Sequence, residues 1–196
     1  DLSPQLVDMA RARAVLARAT DATFLVGDAG SLPVEAGAFD VALSVFGVIF
    51  APDPPAAVGQ MLSALRPGGT LVIASWLARG PVHEAGQLLR AALPGSDEVA
   101  PARWEDPAWV ADLVAGAGAR EVVQHEAELP FAAESAEAWF AEQEDHHPVW
   151  RWARRVLPAE RWQRLRADTV AALRAGSDDP AAFRARSPYL VTRATR

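Results

Sequence analysis

The sequence predicts an α/β fold built on a parallel sheet with helices packed on it, and three observations carry that prediction. Apolar runs at 23–26, 39–45 and 70–76 are short and almost uninterrupted, as in strands buried on both faces. Stretches with helical spacing of apolar residues lie between them. Asp1, Asp28 and Ser44 stand at or just beyond the carboxyl ends of successive strands, the edge where open α/β sheets hold ligands.

The elements follow in order. In "DLSPQLVDMARARAVL", Ser3 is a good N-cap and Pro4 suits the first helical position, where its missing N–H is not needed. Leu6, Val7, Met9, Ala10, Ala14, Val15 and Leu16 form the apolar face of a helix over 4–18, with Arg11, Arg13 and Arg18 toward water. "ATFLVGDAGSLP" supplies a strand at 23–26 and a turn, and "AFDVALSVFGVIF" a second strand at 39–45 with a loop after it. Residues 55–66 read as a helix with Val58, Met61, Leu62 and Leu65 on one face. "RPGG" ends it, with Gly68 or Gly69 in the left-handed position after the last turn. "TLVIASW" is the third strand.

The second half is less regular. Helices are predicted over 81–93 and from about 106 to Gly116 or Gly118. "REVVQHEAELPF" is a strand whose most buried candidates are Val122 and Val123. A Trp-rich helical stretch covers 134–175, interrupted by Pro148 and Pro158, and "SPYLVTRAT" at 187–195 is the last strand. With no internal repeat and no low-complexity linker, residues 1–196 read as one domain. Residues 132–180 form a helical cap inserted before its last strand.

Composition narrows the function. The 196 residues are 51% hydrophobic, enough for one sizeable core, and no apolar run approaches the roughly 18 residues that span a membrane. Cysteine is absent, which excludes disulfides and thiolate metal sites and makes the cytoplasm the default compartment. The net charge of −6 is spread along the chain and gives no footprint for nucleic acid. The expected partner is a small molecule, with no metal, membrane or nucleic acid.

The acidic strand ends carry the chemistry. A carboxylate closing a strand of a nucleotide-binding unit accepts hydrogen bonds from ribose hydroxyls, and one a strand further out can accept from an adenine amino group. Asp1 and Asp28 have these places, and together they describe a site for an adenosine moiety. Each also has a plainer reading: Asp1 as a helix-flanking carboxylate, Asp28 as a turn residue before Gly30.

The wording and spacing of "DLSPQLVDMARARA", "VGDAGSLPVEAGAFDVALSVFGVIFAPDP" and "LRPGGTLVIASW" resemble the class I S-adenosylmethionine-dependent methyltransferases of the small-molecule type. The resemblance is dense over 1–77 and weaker beyond. It implies a Rossmann-like three-layer sandwich of strand order 3-2-1-4-5-7-6 with the last strand antiparallel, and S-adenosyl-L-methionine as cofactor. It implies that Asp1 holds the ribose, Leu2 packs on the adenine, and Asp28 with the Ala29 N–H reads the adenine. Ser44 and Phe46 then lie where cofactor and acceptor meet. The family's first strand and glycine-rich loop have no counterpart in this sequence, whose start matches the end of the family's second strand. A chain begun there is expected to bind the cofactor weakly.

Other residues and classes stay open. His83 lies shortly after the third strand and is a candidate for orienting an acceptor. His146, beside His147, is a candidate base from the insertion, and Glu142, Glu144 and Asp145 beside that pair give a faint metal-ligand pattern. Trp139, Trp150, Trp152 and Trp162 suit the core of the cap better than a substrate cage. The alternatives to an enzyme of this class are a non-catalytic Rossmann-like binding or partner module and an NAD-dependent oxidoreductase. The latter fits "GDA", "FDVALS" and "RPGG" poorly.

Overall fold

The computed structural model describes residues 1–93 and 102–196. Pro4–Leu16 form helix α1, with Ser3 as N-cap accepting from the Leu6 N–H at 3.3 Å and Pro4 at the first helical position. Of its expected apolar face only Val7 is buried. Leu6, Met9 and Val15 are exposed, and Leu16 is 85% exposed, because no other described element covers that face. The expected strand at 23–26 does not form. These residues lie beside Asp1, whose carbonyl accepts from the Gly27 N–H at 3.0 Å and whose backbone nitrogen is 3.4 Å from the Leu25 carbonyl oxygen. An apolar run becomes a strand only where another strand offers a continuous ladder, and two contacts do not make one.

Phe39–Val45 form β1, Val48–Phe50 a 3₁₀ turn, Pro54–Ala64 α2 and Leu65–Trp76 β2. Asp53 caps α2 through the Ala56 N–H at 3.0 Å. All four residues expected on the inner face of α2, Val58, Met61, Leu62 and Leu65, are buried. The helix ends earlier than "RPGG" suggests, at Ala64, with Leu65 already extended. The glycines serve the sheet instead. β1 and β2 pair in parallel, but Phe39 faces Leu65 while Val41 faces Thr70, so five residues of β2 pass two of β1. Gly68 takes a φ of 78° in that excursion. A Cβ on Gly69 would sit 2.9 Å from the Arg66 carbonyl oxygen and 3.1 Å from that of Asp40.

Pro81–Ala92 form α3, Pro107–Gly116 α4, Arg120–Ala133 β3, Ala136–His146 α5, Pro148–Val156 α6, Ala159–Ala175 α7 and Phe183–Thr195 β4. Pro148 opens α6 and Pro158 is the N-cap of α7, so each proline breaks the helical stretch where its missing N–H is harmless. The sheet order is β1-β2-β4-β3. β4 runs against β2: Gly68 pairs with Arg196 at one end, and the Leu77 N–H reaches the Pro188 carbonyl at the other. Edge strand β3 alternates between faces, leaving Val122 half-buried and Val123 58% exposed, so only one of that expected pair is covered.

The described residues divide into two compact units. Unit 1 comprises Asp1–Ser75, Pro107–His125 and Val191–Arg196. In it α2 packs against β1 and α4, and Leu71, Ile73, Val110 and Val114 are buried. The buried Thr192 hydroxyl is 3.2 Å from the Gln124 amide, which also donates to the Pro107 carbonyl at 2.8 Å. β1 has no strand partner opposite β2 among the described residues, and Leu43 on it is 63% exposed.

Unit 2 comprises Trp76–Asp106 and Glu126–Leu190. Its core is aromatic. Phe140 meets Trp150 edge to face at 4.8 Å, and Trp139 lies between Phe131 and Phe183 at 5.7 and 5.4 Å. Trp162 is buried with them, so three of the four tryptophans of the Trp-rich stretch are core, and Trp152 is the exception at 48% exposed. Such pairs contribute about 0.5–1.5 kcal/mol each beyond the area they bury.

Two outcomes follow. Gly69→Ala forces its new methyl against two backbone carbonyls that cannot swing aside, and should lower stability by about 1–3 kcal/mol in denaturant unfolding. An unchanged midpoint would mean that the β2 excursion yields freely. The second concerns His147, whose Nδ1 caps α6 by accepting from the Val149 N–H at 3.3 Å. Although the residue lies at the surface, local burial of the ring lowers its pKa below the ordinary 6.5. The cap needs the neutral ring, so its stabilisation is complete above pH about 6.5 and is lost as pH falls through the lower folded value. Melting curves across that range should lose part of their pH dependence in His147→Asn, which keeps an acceptor but does not titrate. An identical dependence in the variant would sink the assignment.

Candidate functional site

The carboxyl end of β1 and the turn at 27–30 frame a cavity of about 720 Å³ within unit 1. Its shape follows from local rules. At the end of β1 the Ser44 hydroxyl accepts from the Val48 N–H at 2.9 Å, which closes the chain into the 3₁₀ turn. Phe46 sits between them at φ 55°, left-handed for a side chain that has a Cβ, with its N–H donating to the Ala74 carbonyl at 3.1 Å. That conformation costs about 1–2 kcal/mol and is held by the strand pairing behind it.

The turn at 27–30 is built the same way. The Asp28 Oδ1 accepts from the Gly30 N–H at 2.8 Å, and the Asp28 carbonyl accepts from the Ser31 N–H at 3.0 Å. Asp1 uses its Oδ1 on the Ser3 N–H at 2.8 Å. Each carboxylate is therefore oriented by one backbone donor and keeps its second oxygen for another partner. Both plain readings, the helix-flanking Asp1 and the turn-forming Asp28, are correct as local structure. Neither excludes a ligand.

All five residues expected at the cofactor, Asp1, Leu2, Asp28, Ala29 and Ser44, line this one cavity, and so does Phe46. Sequence reasoning missed Leu32, Phe50 and Pro52, which come from the loops on either side, and Met61, read from its spacing as core alone. Nothing in a loop's sequence marks which of its apolar residues turns toward a cavity. Two carboxylates and a hydroxyl line the wall, and no arginine or histidine side chain is among its residues. Asp28 also borders a smaller cavity of about 270 Å³ with Pro52 and Ala56.

His83 and His146 belong to unit 2 and are not among the lining residues. The His83 ring nitrogen lies 3.4 Å from the Gln87 amide, one turn along α3. Near His146 two of the three carboxylates are engaged: the Arg166 Nε lies 3.1 Å from both oxygens of the buried Glu144, and Asp145 pairs with Arg154 at 3.6 Å. No group of three metal-ligating side chains occurs among the described residues. No helix among them is long and apolar enough to cross a membrane.

Residues 1–73 match the family model of a methyltransferase domain. An uncharacterised protein of Mycobacterium tuberculosis strain H37Rv is 38% identical over 80 residues, 41% of this chain and 29% of that protein. The chain thus spans under a third of the length of such curated relatives. Among solved structures, the YcgJ protein of Bacillus subtilis superposes with a TM-score of 0.64 at 16% identity, over 100% of this chain and 80% of that one. Phosphoethanolamine N-methyltransferase 2 of Haemonchus contortus, solved in complex with S-adenosyl-L-methionine, gives 0.57 at 15% identity, over 100% and 42%. Residues 1–73 are thus similar to a methyltransferase domain, and the chain shares the Rossmann-like α/β fold of the solved structures it superposes on.

Proposed function

We propose that the protein carrying this chain transfers a methyl group from S-adenosyl-L-methionine to a small-molecule acceptor, and that the unit 1 cavity holds the cofactor. The observation that carries this reading is the charge of the cavity wall. It presents Asp1 and Asp28 and no basic side chain. A phosphate-bearing nucleotide would be repelled there, whereas an adenosine carrying a sulfonium and an ammonium suits it. The volume lies within the range usual for ligand sites, roughly 300–1,000 Å³.

In this arrangement Asp1 accepts from the ribose hydroxyls, Asp28 and the Ala29 N–H take the adenine edge, and Leu2 packs on its face. Ser44 and Phe46 stand at the strand end that faces the reacting methyl. The cofactor supplies an electrophilic methyl group, and the chain supplies position. In-line placement of two reactants removes at best roughly 7–11 kcal/mol of barrier, so no triad is required. A base is needed only if the acceptor must lose a proton. The non-catalytic alternative differs in one respect, since a pure binding module would hold the cofactor without turning it over.

Acceptor choice we assign to residues 132–180, because every proposed cofactor contact precedes residue 50 while α5–α7 fall in this stretch.

Two measurements test the reading. In calorimetric titration with S-adenosylhomocysteine, Asp28→Ala should lose about 1–3 kcal/mol of binding, the range for a hydrogen bond to a charged group. Equal affinities would return Asp28 to a turn residue only. Exchanging residues 132–180 for those of a relative with another acceptor should change which substrate is methylated and leave cofactor affinity nearly unchanged. A folded chimera that no longer binds the cofactor would refute that division of labour.

A further inference from the structure

Helix α6, "PVWRWARRV", carries two apolar stripes where a surface helix needs one. Trp150 and Ala153, with Leu157 just beyond the helix, follow i, i+3, i+7 spacing and lie in the unit 2 core. Val149, Trp152 and Val156 follow the same spacing one residue out of phase, and all three are exposed. At about 100° per residue the second stripe is centred roughly 100° round the helix from the first, with Arg151 and Arg155 beside it.

The arginines deepen the oddity. Arg154 pairs with Asp145, but Arg151 and Arg155 have no carboxylate within 4.0 Å among the described residues. Being i and i+4, they repel each other along the helix. A chain of net charge −6 thus exposes two uncompensated guanidiniums against a half-exposed tryptophan. Within the fold this combination stabilises nothing.

We propose that α6 is a docking helix for an acidic segment of a partner protein, one that presents carboxylates beside an apolar residue. Tryptophan and arginine are the residues most enriched where protein interfaces concentrate their binding energy. The two guanidiniums supply planar forks matched to carboxylates, and Trp152 supplies the apolar anchor. An anionic bilayer is the poorer occupant. Recognition of lipid headgroups takes clusters of roughly four to eight basic residues, and the chain's own negative charge opposes approach to such a surface. This proposal stands apart from the reading of the unit 1 cavity.

The test uses a synthetic helical peptide with glutamates spaced i, i+4 beside a leucine stripe, a scrambled isomer of the same composition, and vesicles of phosphatidylcholine with phosphatidylglycerol. The wild-type chain should bind the patterned peptide over the scrambled one, and the affinity should fall with added salt. Trp152→Ala and the double variant Arg151→Glu, Arg155→Glu should each weaken it roughly tenfold or more without moving the melting midpoint, because the inner stripe is untouched. Binding that the variants leave intact, equal binding of the scrambled peptide, vesicle binding in place of peptide binding, or no binding at all would each overturn the proposal. If either variant melts early, the salt dependence and peptide preference of the wild type still decide.

Discussion

The pairing of β2 is the constraint on which the rest depends. β2 bonds in parallel to β1 on one side and antiparallel to β4 on the other, so parallel and antiparallel ladders meet along one strand. Leu71, Ile73, Ala74 and Ser75 on it are buried, which fixes its register, since a one-residue slip would turn its side chains to the wrong faces. That register places Ala74 where its carbonyl receives the Phe46 N–H, and so decides where β1 ends and how sharply the chain turns there.

From that turn the cavity inherits its chemistry. Ser44, Asp28 and Asp1 each bind one nearby backbone N–H, which settles the direction of the side chain before any ligand arrives. A group held this way loses little freedom on binding. The left-handed Phe46 is the counterpart: strain of a size the strand pairing can hold, concentrated at the edge where α/β sheets bind ligands.

Unit 2 rests on different physics. Its helices α5, α6 and α7 are separated by prolines and assembled on aromatic contacts, with Glu144 buried against the Arg166 guanidinium. Removing one partner of such a pair would leave a charge without compensation. The surface of the same unit carries the opposite feature in Arg151 and Arg155, exposed charges with no ion pair among the described residues. Buried charge is matched because burial is costly, while exposed charge is tolerated because water screens it.

How much was readable from the residues follows from where each signal acts. The sequence by itself determined where several helices start, because Ser3, Pro148 and Pro158 act on their immediate neighbours. It determined β1 and the inner face of α2, and the resemblance it carries singled out six residues that the fold gathers round one cavity, although only Ser44 and Phe46 among them lie at the end of a strand. It did not determine whether 23–26 would become a strand, whether the apolar face of α1 would be covered, or which of Val122 and Val123 would turn inward. Each of these depends on which other segment lies alongside. "RPGG" shows the same boundary: its glycines announce an unusual backbone, but only the neighbouring carbonyls of Asp40 and Arg66 show that the need is a close approach in the sheet and not the end of a helix. Local chemistry is written in consecutive residues, whereas burial and strand pairing are settled between residues that the chain brings together only on folding.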